Sequence, residues 1–240
     1  MNDFELIDSQ ERSIGLLYLT RYERPQAPGG WVYDVHIDGH LLMSSISPLS
    51  ERELATRGLA AHRGGGELSV LIGGMGLGYT AQAALESDRP SRVRVVDPMD
   101  FVFDWMRKGL LPLSEQLNAD QRLELHQSDV YADLLGPPDQ LWDLILVDVD
   151  HSPEMPLDRA SLPFYTPEGQ AAVRRHLAPG GVLAVWSAHD NDAFAAVLDQ
   201  VYATAWREEI AWVVSHEDAE DDELHNVLFI ACTEPTPELG

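Results

Sequence analysis

Leu68-Ser-Val-Leu-Ile-Gly-Gly-Met-Gly-Leu-Gly78 runs directly into Tyr79-Thr-Ala-Gln-Ala-Ala-Leu85. Leu68 to Ile72 is a short apolar run bounded by glycines, which predicts a buried strand. Tyr79 to Ser87 predicts a helix. Between them Gly73, Gly74, Gly76 and Gly78 let the backbone turn tightly and approach a ligand without Cβ clashes. The start of the helix offers free N–H groups to a carboxylate or phosphate. Gly74, Gly76 and Gly78 form G-x-G-x-G, and Tyr79 stands where the dinucleotide pattern G-x-G-x-x-G has its last glycine.

On the C-terminal side of this unit, strands and helices alternate at short spacing. Arg92-Val-Arg-Val-Val96 predicts a second strand closed by Asp97-Pro98, and Phe101 to Lys108 a helix. Arg122 to His126 predicts a third strand with Asp129 just beyond it. Leu141 to Val147 predicts a fourth, ending in Asp148. Thr166 to Leu177 predicts a helix stopped by Ala178-Pro-Gly-Gly181, followed by a strand at Val182-Leu-Ala-Val-Trp186. A helix over Asp192 to Tyr202 and a final hairpin complete the pattern. Such alternation implies an α/β fold: a mainly parallel sheet covered on both faces, here with a C-terminal antiparallel hairpin.

On the N-terminal side, Ile14 to Thr20, Trp31 to Ile37 and Leu41 to Met43 read as strands. Asp38-Gly39 supplies a hairpin turn. A small β-hairpin extension is expected here, then a helix over Ser50 to Ala61 with Ser50 as N-cap. Arg63-Gly-Gly-Gly66 marks the boundary. The expected organisation is residues 1–62 for the extension and helix, and residues 63–240 for the ligand-binding domain.

The formal net charge of −24 argues against a phosphate-backbone partner, which needs a basic surface, and against an anionic membrane. A negative field favours a cationic small molecule such as an amine. The acidic run Glu217 to Glu223 reads as a solvated loop. Cys232, the one cysteine, lies in an apolar run and reads as a structural thiol. The N-terminus has no signal-peptide pattern, and no apolar run approaches bilayer-spanning length. A cytoplasmic protein is expected, with no metal site.

The glycine turn and three strand-end acids converge on one crevice, because ligands in open α/β sheets bind beyond the carboxyl ends of the strands. Asp97 lies about 20 residues beyond the turn, where an acid binds ribose hydroxyls. Asp129 can accept a hydrogen bond from an adenine amino group. Asp148, Asp150 and His151 are the candidates for handling a proton of an attacking nucleophile. Ser152 to Ser161, with Pro153 and Pro156, is a candidate lid. Tyr165 and Trp186 are candidate walls of a substrate pocket. An adenosyl-bearing ligand is the expected occupant.

These segments resemble the spermidine synthase-like group of the class I S-adenosylmethionine-dependent transferases. The resemblance is carried by Leu71-Ile-Gly-Gly-Met-Gly-Leu-Gly78, Val95-Val-Asp-Pro98, Ser128-Asp129, Leu144-Ile-Leu-Val-Asp-Val-Asp150, Phe164-Tyr165 and Leu177-Ala-Pro-Gly-Gly-Val-Leu183. It implies a Rossmann-like fold and a homodimer. It implies that Gly73 to Gly78 hold the amino-acid end of the cofactor, Asp97 the ribose and Asp129 the adenine, and that Asp148 helps deprotonate an amine.

Three departures bear on the reaction. The group's G-G-G-D-G loop carries an acid that pairs with the amine of decarboxylated S-adenosylmethionine; here Gly76 takes that position. Its D-E-x-x-Y segment is replaced by Ser47-Pro-Leu-Ser-Glu51, and the second acid of its D-S-S-D-P segment by His151. Without the loop acid, intact S-adenosylmethionine is no longer repelled. The sequence therefore favours a small-molecule methyltransferase using S-adenosylmethionine. An aminopropyltransferase using decarboxylated S-adenosylmethionine and making a polyamine is the first alternative, and a non-catalytic adenosyl-ligand-binding protein the second. The missing third glycine counts against a nicotinamide enzyme.

Overall fold

A computed structural model describes residues 4–12, 14–149, 152–155, 159–214 and 222–235. The chain opens with a four-stranded antiparallel sheet, β1 (Glu5–Arg12), β2 (Gly15–Glu23), β3 (Trp31–Ile37) and β4 (His40–Ser44), paired in that order. The β3–β4 turn is the one expected: Asp38 and Gly39 have φ of 48° and 85°, the positive values a two-residue turn demands.

The extension is larger than the hairpin expected from sequence, because β1 was not legible. Glu-Leu-Ile-Asp-Ser-Gln-Glu-Arg is mostly polar and gives no buried run. It is a strand because its backbone pairs with β2 and because Asp8 accepts the indole N–H of Trp105 at 2.5 Å.

Helix α1 (Leu49–Ala61) leads into the main sheet: β5 (Leu68–Gly73), α2 (Tyr79–Leu85), β6 (Pro90–Asp97), α3 (Asp100–Arg107), α4 (Ser114–Ala119), β7 (Leu123–Gln127), α5 (Val130–Leu135) and β8 (Trp142–Val147). A 3-10 segment (Arg159–Tyr165), α6 (Pro167–Arg174), β9 (Leu177–Ser187), α7 (Asp192–Val201), β10 (Thr204–Val214) and β11 (Asp222–Cys232) follow. The sheet has seven strands in the order β10-β11-β9-β8-β5-β6-β7. Strands β5 to β9 run parallel, and the β10–β11 hairpin joins antiparallel at β9. The chain moves outward from β5 to β7, then returns to β8 on the other side of β5. The order reverses between β5 and β8, and that reversal opens a crevice at their carboxyl ends.

Alternate residues of each strand feed two apolar layers. Val70, Ile72, Leu144, Leu146 and Ala184 pack with α1, α2 and α3, and the N-terminal sheet extends that layer through Leu17, Leu19 and Val35. Leu71, Ile145, Val147, Leu183 and Val185 pack with α5, α6 and α7.

Two local expectations are corrected. Ser50 does not cap α1; the helix starts at Leu49 with Pro48 before it, and the Ser50 hydroxyl donates to Glu51 at 3.0 Å. Ala178-Pro-Gly-Gly181 does not stop a helix but lies within β9. The pairing jumps from Trp142↔Leu177 to Leu144↔Val182, and Gly180, at φ 74°, absorbs the resulting bulge. The acidic run falls largely outside the described residues, as does part of the candidate lid. No helix among the described residues is long and apolar enough to cross a membrane.

Candidate active site

The glycine turn follows β5 at the topological switch. Gly74 N–H donates to the Val96 carbonyl of β6 at 2.9 Å, and Asp148 N–H to the Gly73 carbonyl at 2.8 Å, so the turn is tied to both flanking strands. Gly74 has φ 94°, and a Cβ there would run into the Asp148 carbonyl oxygen. Only glycine is tolerated at such a crossing. Gly76 has φ 49° and open space where a side chain would stand.

Asp97 closes β6 and is 7% exposed. One of its oxygens accepts Met75 N–H and the other Met99 N–H, each at 2.8 Å. Burial raises its carboxyl above the usual range, against the pull of those two bonds. The acid therefore fixes the glycine turn as well as facing the crevice.

Two chambers meet here, sharing Pro98, Met99 and Val149. The smaller, about 280 Å³, is bounded by the glycine turn, Asp97, Asp148, Trp186, β4 and the first turn of α1. The larger, about 830 Å³, is bounded by Gln127, Asp129, Tyr131, Ser161 and the tip of the β1–β2 hairpin at Arg12 and Ile14. Asp129 caps α5, and both backbone bonds, from Tyr131 and Ala132, land on Oδ1. Its position at the end of β7 faces the larger chamber.

The structure thus brings Gly74, Gly76, Asp97, Asp148 and Trp186 to one chamber and Asp129 to its neighbour, with Gly73 and Gly78 framing the turn. Asp150 and His151 lie outside the described residues. Tyr165 is not among the lining residues of either chamber but stands next to Tyr131, which lines the larger one. It ends the 3-10 segment and packs at 5.1 Å against the rings of both Phe164 and Phe194, with its hydroxyl 3.3 Å from that of Tyr131. Its neighbour Phe164 is fully buried, and the apolar drive of that aromatic cluster takes Tyr165 with it.

Sequence reasoning missed Glu51. It stands in the first turn of α1 and reaches the smaller chamber opposite Asp148. Burial, then the charge of Asp148, pushes the Glu51 carboxyl up to about 7. Burial likewise pushes Asp148 up to about 6, opposed by a 3.0 Å hydrogen bond from the Thr80 hydroxyl. The available signal was positional: Glu51 occupies the place of the tyrosine in the D-E-x-x-Y segment. Trp186 lines the chamber, while its indole N–H is shielded from solvent and has no partner among the described residues.

The strand order, the glycine turn at the switch point and the antiparallel final hairpin form a class I S-adenosylmethionine-dependent transferase-like fold, preceded here by an N-terminal antiparallel sheet. The chain is similar in fold to solved spermidine synthases. Over 95% of its length the chain is similar to a spermidine synthase in complex with the transition state analogue AdoDATO, of which 73% is covered, at TM-score 0.69 and 18% identity. The spermidine synthase from Thermotoga maritima matches over 95% of this chain and 72% of its own, at TM-score 0.68 and 17% identity. A probable spermidine synthase from Corynebacterium glutamicum matches over 94% and 79%, at TM-score 0.62 and 15% identity. No family model matches the chain, and the comparison with curated proteins found no match.

Proposed function

We propose that the chain is a transferase that moves an aminopropyl group from decarboxylated S-adenosylmethionine to an amine. One observation carries this reading. The chamber beside the glycine turn is lined by three carboxyls, Glu51, Asp97 and Asp148, and by no lysine, arginine or histidine among the described residues. Such a field attracts ammonium groups and offers no counter-charge to the carboxylate of intact S-adenosylmethionine. It outweighs the argument from Gly76, because a negative group enters the same chamber from α1. The likeness of fold to spermidine synthases supports the same direction.

In this reading Asp97 holds the ribose and Asp129 the adenine in the larger chamber, and the open backbone at Gly76 gives the ligand room. The sulfonium supplies the leaving group. The protein's task is to place an amine and remove its proton. Asp148 does so, held by Thr80, and a carboxyl lifted toward neutrality is a better proton acceptor than an ordinary aspartate. Leu42, Met43 and Trp186 pack around the carbon chain of the amine. The proposal includes self-association through the N-terminal sheet, where Phe4, Leu6 and Leu41 are exposed.

Methyl transfer from intact S-adenosylmethionine is the second reading, favoured by the missing acid at Gly76. Mass spectrometry of products separates the two. The purified protein is incubated with putrescine, or with a panel of primary amines, and each cofactor in turn. A product enlarged by an aminopropyl group, with the decarboxylated cofactor only, supports the proposal. A methylated product would replace it with the second reading. Binding with no product from either cofactor would leave a non-catalytic adenosyl-binding protein.

A further inference from the structure

Strand β1 is held by a ladder of polar side chains that leads to the larger chamber. Asp8, Gln10 and Arg12 alternate along it and are half-buried, whereas Ser9 and Glu11 between them are exposed, so the three share one face. Asp8 accepts the indole N–H of Trp105 at 2.5 Å and the side-chain amide of Gln10 at 2.9 Å. Gln10 in turn accepts from Arg12 at 2.7 Å. That face is therefore turned to α3, and the ladder sets the Arg12 guanidinium beside the acids of that helix, 3.5 Å from Asp100 and 3.8 Å from Asp104. Both ion pairs are longer than a hydrogen bond. The Arg12 Nε–H, shielded from solvent, has no partner among the described residues. A guanidinium is rich in donors, and among the described residues Gln10 alone takes one at hydrogen-bond length. The ladder thus places this group without using up its bonding capacity. Arg12 also lines the larger chamber, where it is the one cation among the described lining residues. At about 830 Å³ that chamber is the roomier of the two and has the size of a small-molecule site.

We propose that Arg12 is a binding residue for the adenosyl group, its planar guanidinium laid on a face of the adenine ring. The proposal rests on the transferase reading above, which seats the adenine at Asp129, and adds a contact from the N-terminal sheet. Asp129 meets the ring at its edge, through the amino group, and leaves the faces to the chamber walls. Met99, Val130 and Val149 offer apolar surface for one face. Arg12 serves the other, because a guanidinium is planar, weakly hydrated and drawn to a π-system. Its long ion pairs with Asp100 and Asp104 keep it at the chamber wall and leave it able to tilt onto the ring. The β1–β2 hairpin then carries part of the nucleoside site as well as part of the apolar core.

Two measurements on the full chain test it. The first probe is methylthioadenosine, which carries the adenosyl group and no ammonium, so the acidic chamber does not enter. Calorimetry compares its binding to the wild type and to Arg12→Met, which keeps an apolar stem and removes the guanidinium. Binding about 5- to 30-fold weaker in the variant is expected, with decarboxylated S-adenosylmethionine weakened to a similar degree. The second measurement is NMR of protein labelled at the arginine side chains. The Nε–H resonance of Arg12, assigned by its absence from Arg12→Met or Arg12→Lys, should move upfield in the ring current of bound adenine. A residue that only docks the hairpin on α3 would show no such shift. Equal affinities for wild type and Arg12→Met, or a resonance unmoved at saturation, would overturn the inference while leaving the transferase reading intact. A wild type that binds neither methylthioadenosine nor decarboxylated S-adenosylmethionine would overturn the transferase reading, and the inference with it. Should Arg12→Met fail to fold, the wild-type resonance, assigned through Arg12→Lys, decides the matter.

Discussion

The carboxylate of Asp97 accepts the backbone N–H of Met75 at 2.8 Å, joining the end of β6 to the middle of the glycine turn. The acid expected to meet a ribose is thus also a structural tie. Its other oxygen holds Met99 at the head of α3, so one side chain fixes both backbone segments at the chamber junction.

Replacing Asp97 by Ala leaves two backbone N–H groups near the protein interior without their partner. A loss of about 2–4 kcal/mol in unfolding free energy is expected, read by denaturant titration. Asp97→Asn keeps one acceptor and a similar shape, so it should fold better yet bind adenosyl ligands less well. Calorimetry showing equal affinity for Asn and Asp would remove the ribose role.

Gly74 and Gly76 are expected to respond oppositely to a side chain. Gly74→Ala places a methyl against the Asp148 carbonyl at φ 94° and should unfold the protein or cost several kcal/mol. Gly76→Asp meets open space at φ 49°, where Asp is tolerated, and should cost only about 1 kcal/mol. The same variant should raise the preference for decarboxylated over intact S-adenosylmethionine. An unchanged affinity ratio would show that position 76 does not face the amino-acid end of the ligand.

The raised carboxyls of Glu51 and Asp148 predict a pH slope of stability. Their ordinary values are 4.5 and 3.8, and in the folded chain they stand at about 7 and about 6. Between those limits the folded state holds more protons than the unfolded chain. Stability contributed by these groups is therefore present at acid pH and lost as pH rises through about 4 to 7. Glu51→Gln should flatten that slope and be more stable than the wild type near pH 8. Thermal melts across the range that give parallel curves for the two proteins would contradict the burial of this pair.

Arg89 is expected to be the strongest single tie behind α1. Its guanidinium donates to the carbonyls of Leu59, His62 and Gly64, the last two at 2.8 and 2.9 Å. Arg89→Lys cannot span three carbonyls with one ammonium and should lose about 1–3 kcal/mol, measured by denaturant titration. Because α1 carries Glu51, the variant should also weaken binding of a cationic ligand. A stability loss with unchanged binding would separate the helix C-terminus from the chamber.

What the sequence determined by itself is the part of the molecule whose cause is local. A strand, a glycine turn and a helix are dictated within Leu68 to Leu85 by apolar run, backbone freedom and helix propensity, and acids at strand ends mark Asp97, Asp129 and Asp148. Those readings needed no knowledge of what lies across the sheet. Tertiary structure alone decided the rest. β1 is polar and exists through pairing with β2. Pro179-Gly180-Gly181 reads as a helix stop but bulges inside β9, because its neighbour β8 imposes the register. Tyr165 packs with Phe164 and Phe194 in an aromatic cluster that only the tertiary fold assembles. Glu51 becomes part of the chamber only because α1 packs against β8 and β9. Burial and the charge of a distant residue set its chemistry, and neither quantity is written in its neighbours along the chain.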